Sequence, residues 1–337
     1  MTDIYVNVLQ LRDTAFEVGF KTGKEIENQS ILKTFEAITK PEIDHDEMKS
    51  IYSSFAPHLL EELDGLAHSL DIPSHKAAAM FSGYDVPRTE AMGCSALLTE
   101  DYYVRNYDFS PALYDGLFSL VQPEKAFASV GYNLQIIGRH DGVNEHGLVM
   151  GLHFVSNEGY RKGLSPWTSI RMVLDTCATV DDAVSMLKEI PHSACYNFSL
   201  GDSQGNMAVV EASPDQVVVR RDGTLTCVNH FQEEQLKDKN RESIHGSLKR
   251  NDYLHKLKDE HLTQTEAFNN FKSKESPMFF TDYNDLFGTL HTFSYSYRDA
   301  KILTTIAQSG QDLEVDFKEW VGGKDIAVQR MNGIIEG

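Results

Sequence analysis

One change of texture divides the chain. Through residues 11–85 apolar side chains recur every three or four positions, as in LRDTAFEVGFKTGKEIENQSILKTFEAI and SSFAPHLLEELDGLAHSL, which is the spacing of a helix with one buried face. From Ser95 onward, short runs rich in Val, Ile, Tyr and Phe alternate with turn signals, which is the pattern of paired strands. Gly93-Cys94 stands at the junction, so Cys94 opens the strand-rich part.

Within that part, SALLTE and DYYVRNYD read as a hairpin, and GVNEHG as the connection between two further strands. WTSIRMVLDTCATVDDAVSMLKEI returns to helical spacing as two consecutive helices, with Thr179 and Asp182 as a capping pair for the second. YNFSLGDSQGNMAVVEAS and QVVVRRDGTLTCVNHF each predict a hairpin, turning at DSQGN and RDGT. GSLKRNDYLHKLKDEH and TQTEAFNNFKSK predict helices, and TLHTFSYSYRDAKILTTIAQ a closing strand pair. Two groups of strands separated by helices suit two stacked sheets with helices on the outer faces rather than a parallel βαβ sheet. The expected class is α+β, a four-layer αββα sandwich over 94–337 preceded by a helical pro-segment over 1–93.

Charge and cysteine usage narrow the function. With 31 basic against 50 acidic residues, the formal charge of −19 repels nucleic acid and anionic membrane surfaces, so neither is an expected partner. The N-terminus carries no basic region followed by an apolar core, and no run approaches membrane-spanning length, which points to a cytoplasmic protein. Cysteines 94, 177, 195 and 227 lack the C-x-x-C spacing of zinc or redox sites. His140, His146 and His153 lack the fixed spacing of a zinc motif, and GDSQGN lacks the acidic ladder of a calcium loop, so no metal or cofactor is expected.

Cys94 is different because of its position. If the bond to Gly93 were cut, Cys94 would carry a thiol and a free α-amine on one residue. An α-amine titrates at about 7.7–8.0 and a thiol at about 8.5, so the amine can take the thiol proton near neutral pH. A glycine before it leaves the scissile carbonyl open and tolerates a strained backbone. The returning strand offers Arg105 and Asp108 as supporting groups. They lie three apart and would face opposite sides of a regular strand, so for both to reach one site the strand must bend or end near Asn106.

GCSALL, VRNYDF, GVNEHGL, NFSLGDSQGNMAVVE and CVNHF occur in the order seen in N-terminal-nucleophile amidases of the choloylglycine hydrolase and penicillin V acylase group. The chain resembles that group over residues 55–255, and its long leader ending at Gly-Cys is more similar to the acyl-coenzyme A:isopenicillin N acyltransferases. The resemblance implies Cys94 as nucleophile and, after autocleavage at Gly93-Cys94, as α-amine base. Asp108 would orient the amine and Arg105 would support the thiolate. Asn144 and Asn229 would flank the oxyanion, and Arg250, or its neighbour Lys249, would match a family arginine. It also implies a small acyl amide or thioester as substrate, and a homo-oligomer is compatible with it.

Plainer roles exist for each residue. Cys94 can be a buried small hydrophobe, Arg105 and Asp108 a surface ion pair, and Asn144 a turn residue. Two other functions stand beside the leading one. The first is a Cys-His hydrolase without processing, with His230 or His146 as base, and the second is a non-catalytic binding protein with an inert Cys94.

Overall fold

The computed structural model describes residues 2–88, 93–221, 223–283 and 287–336. The leader begins with strand β1 (Thr2–Asp13), followed by helices α1 (Ala15–Ile26), α2 (Ile31–Ile38), α3 (His45–Phe55), α4 (His58–Ser69) and α5 (Ser74–Phe81). After the junction come β2 (Gly93–Leu98), β3 (Tyr102–Phe109), β4 (Leu117–Pro123), β5 (Ser129–Leu134), β6 (Gly138–Arg139), β7 (Asp141–Asn144) and β8 (Val149–Ser156). Helices α6 (Pro166–Thr176) and α7 (Val180–Glu189) precede β9 (Cys195–Gly201), β10 (Met207–Ala212), β11 (Val217–Arg220) and β12 (Leu225–Cys227). The rest is α8 (His245–Lys258), α9 (Gln264–Lys272), β13 (Thr281–Asp282), β14 (Phe287–Ser296), β15 (Lys301–Ile306), β16 (Leu313–Asp316), α10 (Phe317–Val321) and β17 (Arg330–Ile335).

Among the described residues the strands form two sheets. The larger has ten strands in the order β11-β10-β9-β8-β7-β5-β4-β1-β17, with β6 on β5; the smaller has seven, β12-β2-β3-β14-β15-β16, with β13 on β14. Tyr103 and Ser199 hydroxyls meet across the interface at 2.8 Å, and Tyr132 and Thr304 at 2.6 Å. Helices α6 and α7 cover the outer face of the larger sheet, and α8 and α9 that of the smaller. The expected four layers are therefore present. Thr179 and Asp182 make the reciprocal capping box at the start of α7. No helix of the described residues is long and apolar enough to cross a membrane.

Two expectations fail. The leader is not purely helical: TDIYVNVLQLRD forms β1, which pairs in parallel with β4 (Asn7↔Leu117 to Asp13↔Pro123) and antiparallel with β17 (Thr2↔Ile335 to Asn7↔Arg330). Val6, Asn7 and Val8 are buried in succession, as in a strand with neighbours on both sides. The second failure is the RDGT hairpin. β11 pairs with β10 in the larger sheet and β12 with β2 in the smaller, so the chain crosses between layers here; Asp222 of that turn lies outside the described residues.

The leader is also tied down by helices and charge. α1 and α4 approach so closely that a Cβ on Gly19 would fall 1.9 Å from the Glu62 carbonyl oxygen, and one on Gly65 2.0 Å from that of Phe16. Glu62 of α4 receives two bonds from Arg171 of α6, at 3.1 and 2.7 Å, and Arg171 Nε donates to Asp175 at 2.8 Å. His58 of α4 reaches the same Asp175 oxygen at 2.8 Å. Burial alone would raise the Asp175 carboxyl, but Arg171 and His58 outweigh it and hold it below its usual range. Removing one member of such a buried set strands the others. Glu62→Ala should therefore lower the unfolding free energy by about 3–5 kcal/mol in urea titrations. Glu61→Ala, at an exposed pair with Lys125, should change it by under about 1 kcal/mol.

Candidate active site

The site grows from the register of β2 on β3, in which Cys94 lies opposite Tyr107 and Gly93 opposite Asp108. Cys94, Ala96 and Leu98 point into the core between the sheets, while Leu97 points outward under α8 and α9 with Tyr102 and Val104. Period-two alternation then puts Arg105 and Tyr107 on the inner face and Asp108 on the outer one. The strand does not bend or end at Asn106, contrary to the expectation; the register of β2 and β3 runs unbroken through it. Both charged residues still reach one amino acid. Arg105 approaches the Cys94 thiol from inside, and Asp108 lies beside its backbone.

Arg105 is fully buried and donates to Asp141, to the Leu152 carbonyl at 2.6 Å and to the His140 carbonyl at 3.3 Å. Asp141 also accepts from His291 Nε2 at 2.8 Å, and His291 Nδ1 meets the Tyr114 hydroxyl at 2.8 Å. Burial would raise the Asp141 carboxyl, but His291 and Arg105 overcome it and hold it well below its usual range. On the other face, Asp108 Oδ1 accepts from the Thr289 hydroxyl at 2.7 Å and Oδ2 lies 3.9 Å from Arg250 Nη1. Burial raises the Asp108 carboxyl to about 6 in spite of Arg250 and Thr289.

Asn229 and Arg250 hold the junction itself. The Cys94 N–H donates to Asn229 Oδ1 at 2.8 Å, and Arg250 Nη2 donates to the same oxygen at 2.9 Å. Two donors on one atom fix it as the amide oxygen. Arg250 Nη1 donates to the Cys94 carbonyl and to the Ser95 hydroxyl, both at 2.7 Å. Arg250 is buried at the junction, whereas Lys249 is exposed. Asn229 Nδ2 is engaged on the Phe154 carbonyl at 2.8 Å, so its amide serves the Cys94 nitrogen rather than an oxyanion in the intact chain.

Asn144 is not brought to the site. Its amide donates to the Leu174 and Cys177 carbonyls at 2.9 and 2.7 Å, and its oxygen accepts from the N–H groups of His146 and Leu148, both at 3.1 Å. It pins the β7–β8 turn to the end of α6, the plainer role the sequence allowed. His146 is exposed on that turn against Phe127, and His230 Nδ1 is bound to the Ser247 hydroxyl at 2.8 Å. Gly93 lies in an extended strand outside the left-handed region, so its need is for space rather than backbone freedom: a Cβ there would fall 2.3 Å from Phe287 Cζ and 3.0 Å from Asp108 Cβ.

Residues that the sequence did not assign to the site surround it as well. His153 of β8 faces the Cys94 backbone, is held neutral by burial and then by Arg105, and bonds the Ser199 hydroxyl at 2.9 Å. The Ser247 hydroxyl accepts from the Asn229 N–H at 2.9 Å. Tyr107 stands directly across from Cys94, and its hydroxyl, both ring nitrogens of His140, Asp141 Oδ1 and Arg105 Nε find no hydrogen-bond partner among the described residues. An unsatisfied buried group costs about 1–3 kcal/mol, so the five together would rival the whole stability of a domain, about 5–15 kcal/mol. The Cys94 thiol is itself fully buried, and burial pushes it up to about 12, with Arg105 pulling down and Asp108 pushing further up. In the unbroken chain it is a protonated thiol.

A family model described as acyl-coenzyme A:6-aminopenicillanic acid acyl-transferase matches residues 97–311, a span that begins just past Cys94. Beta-alanyl-dopamine/carcinine hydrolase of Drosophila melanogaster is 25% identical over 259 residues, covering 59% of this chain; the chain thus spans 65% of the length of that curated relative. Among solved structures, a mutant of conjugated bile acid hydrolase from Clostridium perfringens is similar at 16% identity and a TM-score of 0.47, covering 68% of this chain and 93% of that one. An N-acylethanolamine-hydrolyzing acid amidase ortholog from Caenorhabditis elegans is similar at 12% identity and a TM-score of 0.40, covering 61% and 95%. At scores this low, the architecture rests on the chain's own layers.

Asp108 supplies a test of the outer face. Its carboxyl lies above the ordinary value in the fold, so it favours folding when protonated, below about pH 4, and this contribution is lost as pH rises through about 6. Asp108→Asn should therefore match the native protein near pH 4 and exceed it at pH 8 by up to about 3 kcal/mol in urea titrations, while chemistry at Cys94 slows. Equal stability differences at both pH values would contradict the assignment.

Proposed function

The chain belongs to the acyl-coenzyme A:6-aminopenicillanic acid acyl-transferase family, and from that premise we propose a cysteine N-terminal-nucleophile amidohydrolase or acyltransferase that activates itself by cutting the Gly93–Cys94 bond. The observation that carries the reading is the grip on the Cys94 nitrogen: Asn229 Oδ1 accepts its hydrogen at 2.8 Å, and Arg250 donates to the carbonyl of the same residue. A structural cysteine has no use for such a set around its backbone.

In the first step the thiol attacks the Gly93 carbonyl. A carbon–sulfur bond forms, the Gly93–Cys94 carbon–nitrogen bond breaks, and the nitrogen takes the thiol proton. Water then cleaves the thioester, which leaves Gly93 with a carboxylate and returns the Cys94 thiol beside the α-amine that the first step freed. Held by Asn229 and Asp108, that amine takes the thiol proton in each later turnover, and Arg105 stabilises the thiolate. The acyl amide or thioester substrate acylates the sulfur, its amine or thiol leaves with a proton, and water or a second amine receives the acyl group. The named relative makes β-alanyl amides the first compounds to try in an N-acyl amide panel. Four free, buried cysteines suit a reducing compartment, and a cytoplasmic location goes with this reading.

Intact mass under denaturing conditions should show two fragments, the larger beginning CSALLTED, and Cys94→Ala should stay a single chain without turnover. Cys177→Ala should keep its rate within a few-fold. Under native conditions the two fragments should run as one species, since β1 is held between β4 and β17. Full activity with residues 1–93 still covalently joined would overturn the reading in favour of a Cys-His hydrolase.

A further inference from the structure

The polar atoms left without partners behind Cys94 are too concentrated to be incidental. The Tyr107 hydroxyl and both nitrogens of His140 are fully buried, and the two rings touch, with centroids 3.9 Å apart. Asp141 Oδ1 adds an acceptor and Arg105 Nε a donor in the same cluster. Tyr114 and His291 complete an aromatic wall, with His291 stacked at 5.3 Å from the Tyr107 ring. Folded proteins pair buried polar groups with protein, water or ligand, so a cluster of this kind marks a place that polar atoms from outside the chain fill.

Position says which atoms those are. Tyr107 is the cross-strand neighbour of Cys94 on the inner face, so a group carried on the Cys94 sulfur leaves the strand toward Tyr107 and His140. Resting on the reading in which Cys94 carries the acyl group, we propose that Tyr107 and His140 form the acyl subsite and select acyl chains bearing a hydrogen-bonding substituent close to the scissile carbonyl. Burial keeps His140 neutral, with one ring nitrogen a donor and the other an acceptor, and the Tyr107 hydroxyl serves in either sense. A hydroxyl or amine on the acyl chain finds complementary partners there. A plain alkyl chain would leave those partners unpaired, which is how a polar site rejects an apolar analogue.

The test compares amides of one amine with butanoic and 3-hydroxybutanoic acids, in the native protein and in Tyr107→Phe. The native protein should favour the hydroxylated chain about tenfold or more in kcat/KM, and Tyr107→Phe should erase most of that preference. Because the hydroxyl has no hydrogen-bond partner among the described residues, its loss should leave the melting temperature unchanged or raise it, whereas loss of a structural hydroxyl would lower it. Cys94-dependent cleavage of both amides with no preference, or a preference unchanged in Tyr107→Phe, overturns the subsite alone. Cleavage of neither amide overturns the acyl-enzyme reading and the subsite with it.

Discussion

The register between β2 and β3 is the constraint on which the site depends. Cys94 faces Tyr107 and Gly93 faces Asp108, so the thiol and the nitrogen of one residue are served from opposite sides of one sheet. Arg105 and Tyr107 act from inside, Asp108 and Arg250 from outside. A slip of one residue would turn every side chain of β2 over, sending Leu97 between the sheets and the thiol under α8. The apolar residues that forbid the slip are ordinary ones: Ala96, Leu98 and Tyr103 on the inner face, Leu97, Tyr102 and Val104 on the outer. Chemistry here is positioned by a hydrophobic pattern.

Buried arginines divide the remaining electrostatic work. Arg171 is met by Glu62 and Asp175, and Arg105 by Asp141, so both charges are compensated at hydrogen-bond distance. Arg250 is not matched in that way. Its close acceptors are the Cys94 carbonyl, the Ser95 hydroxyl and the Asn229 amide, and the Asp108 carboxylate stays 3.9 Å away. Burial accordingly lowers its affinity for its proton, and its field is directed at the Cys94 backbone. A buried cation with no carboxylate at hydrogen-bond distance is destabilising, and the carbonyl this one donates to is that of Cys94, on the far side of the residue from Gly93.

Local signals were legible in the sequence and long-range ones were not. The β2–β3 hairpin, the paired helices α6 and α7 with their capping box, and the break at Gly93-Cys94 all follow from residues close in the chain. Cys94, Arg105, Asp108, Asn229 and Arg250 lie around one junction, with Asn229 on the Cys94 nitrogen rather than free for an oxyanion. Asn144 does not, because an asparagine in a turn and one in an active site look alike until the partners are known; here they are the carbonyls of Leu174 and Cys177. His153 enters the sequence only as a rejected metal ligand, and Tyr107 reads as an alternate residue in an apolar strand. The crossing between β11 and β12 could not be seen, since a Gly-containing turn between two strand-like runs does not say whether they enter the same sheet.

With β1 built into the larger sheet, the proposed activation would be a local event. The strand occupies an interior position of the larger sheet, and without it β4 and β17 would each expose an unpaired edge. The ion cluster of Glu62, His58, Arg171 and Asp175 binds the leader a second time, well away from the junction. The leader is thus part of the fold, and the strain of assembling a site with an elevated Asp108, a protonated thiol and unpaired polar atoms is offset by contacts the junction does not touch. Cutting the chain before Cys94 would change one peptide bond into an amine and a carboxylate and leave both sheets whole. What it would alter is the fixed end of β2, freeing the residue whose thiol the intact strand keeps buried.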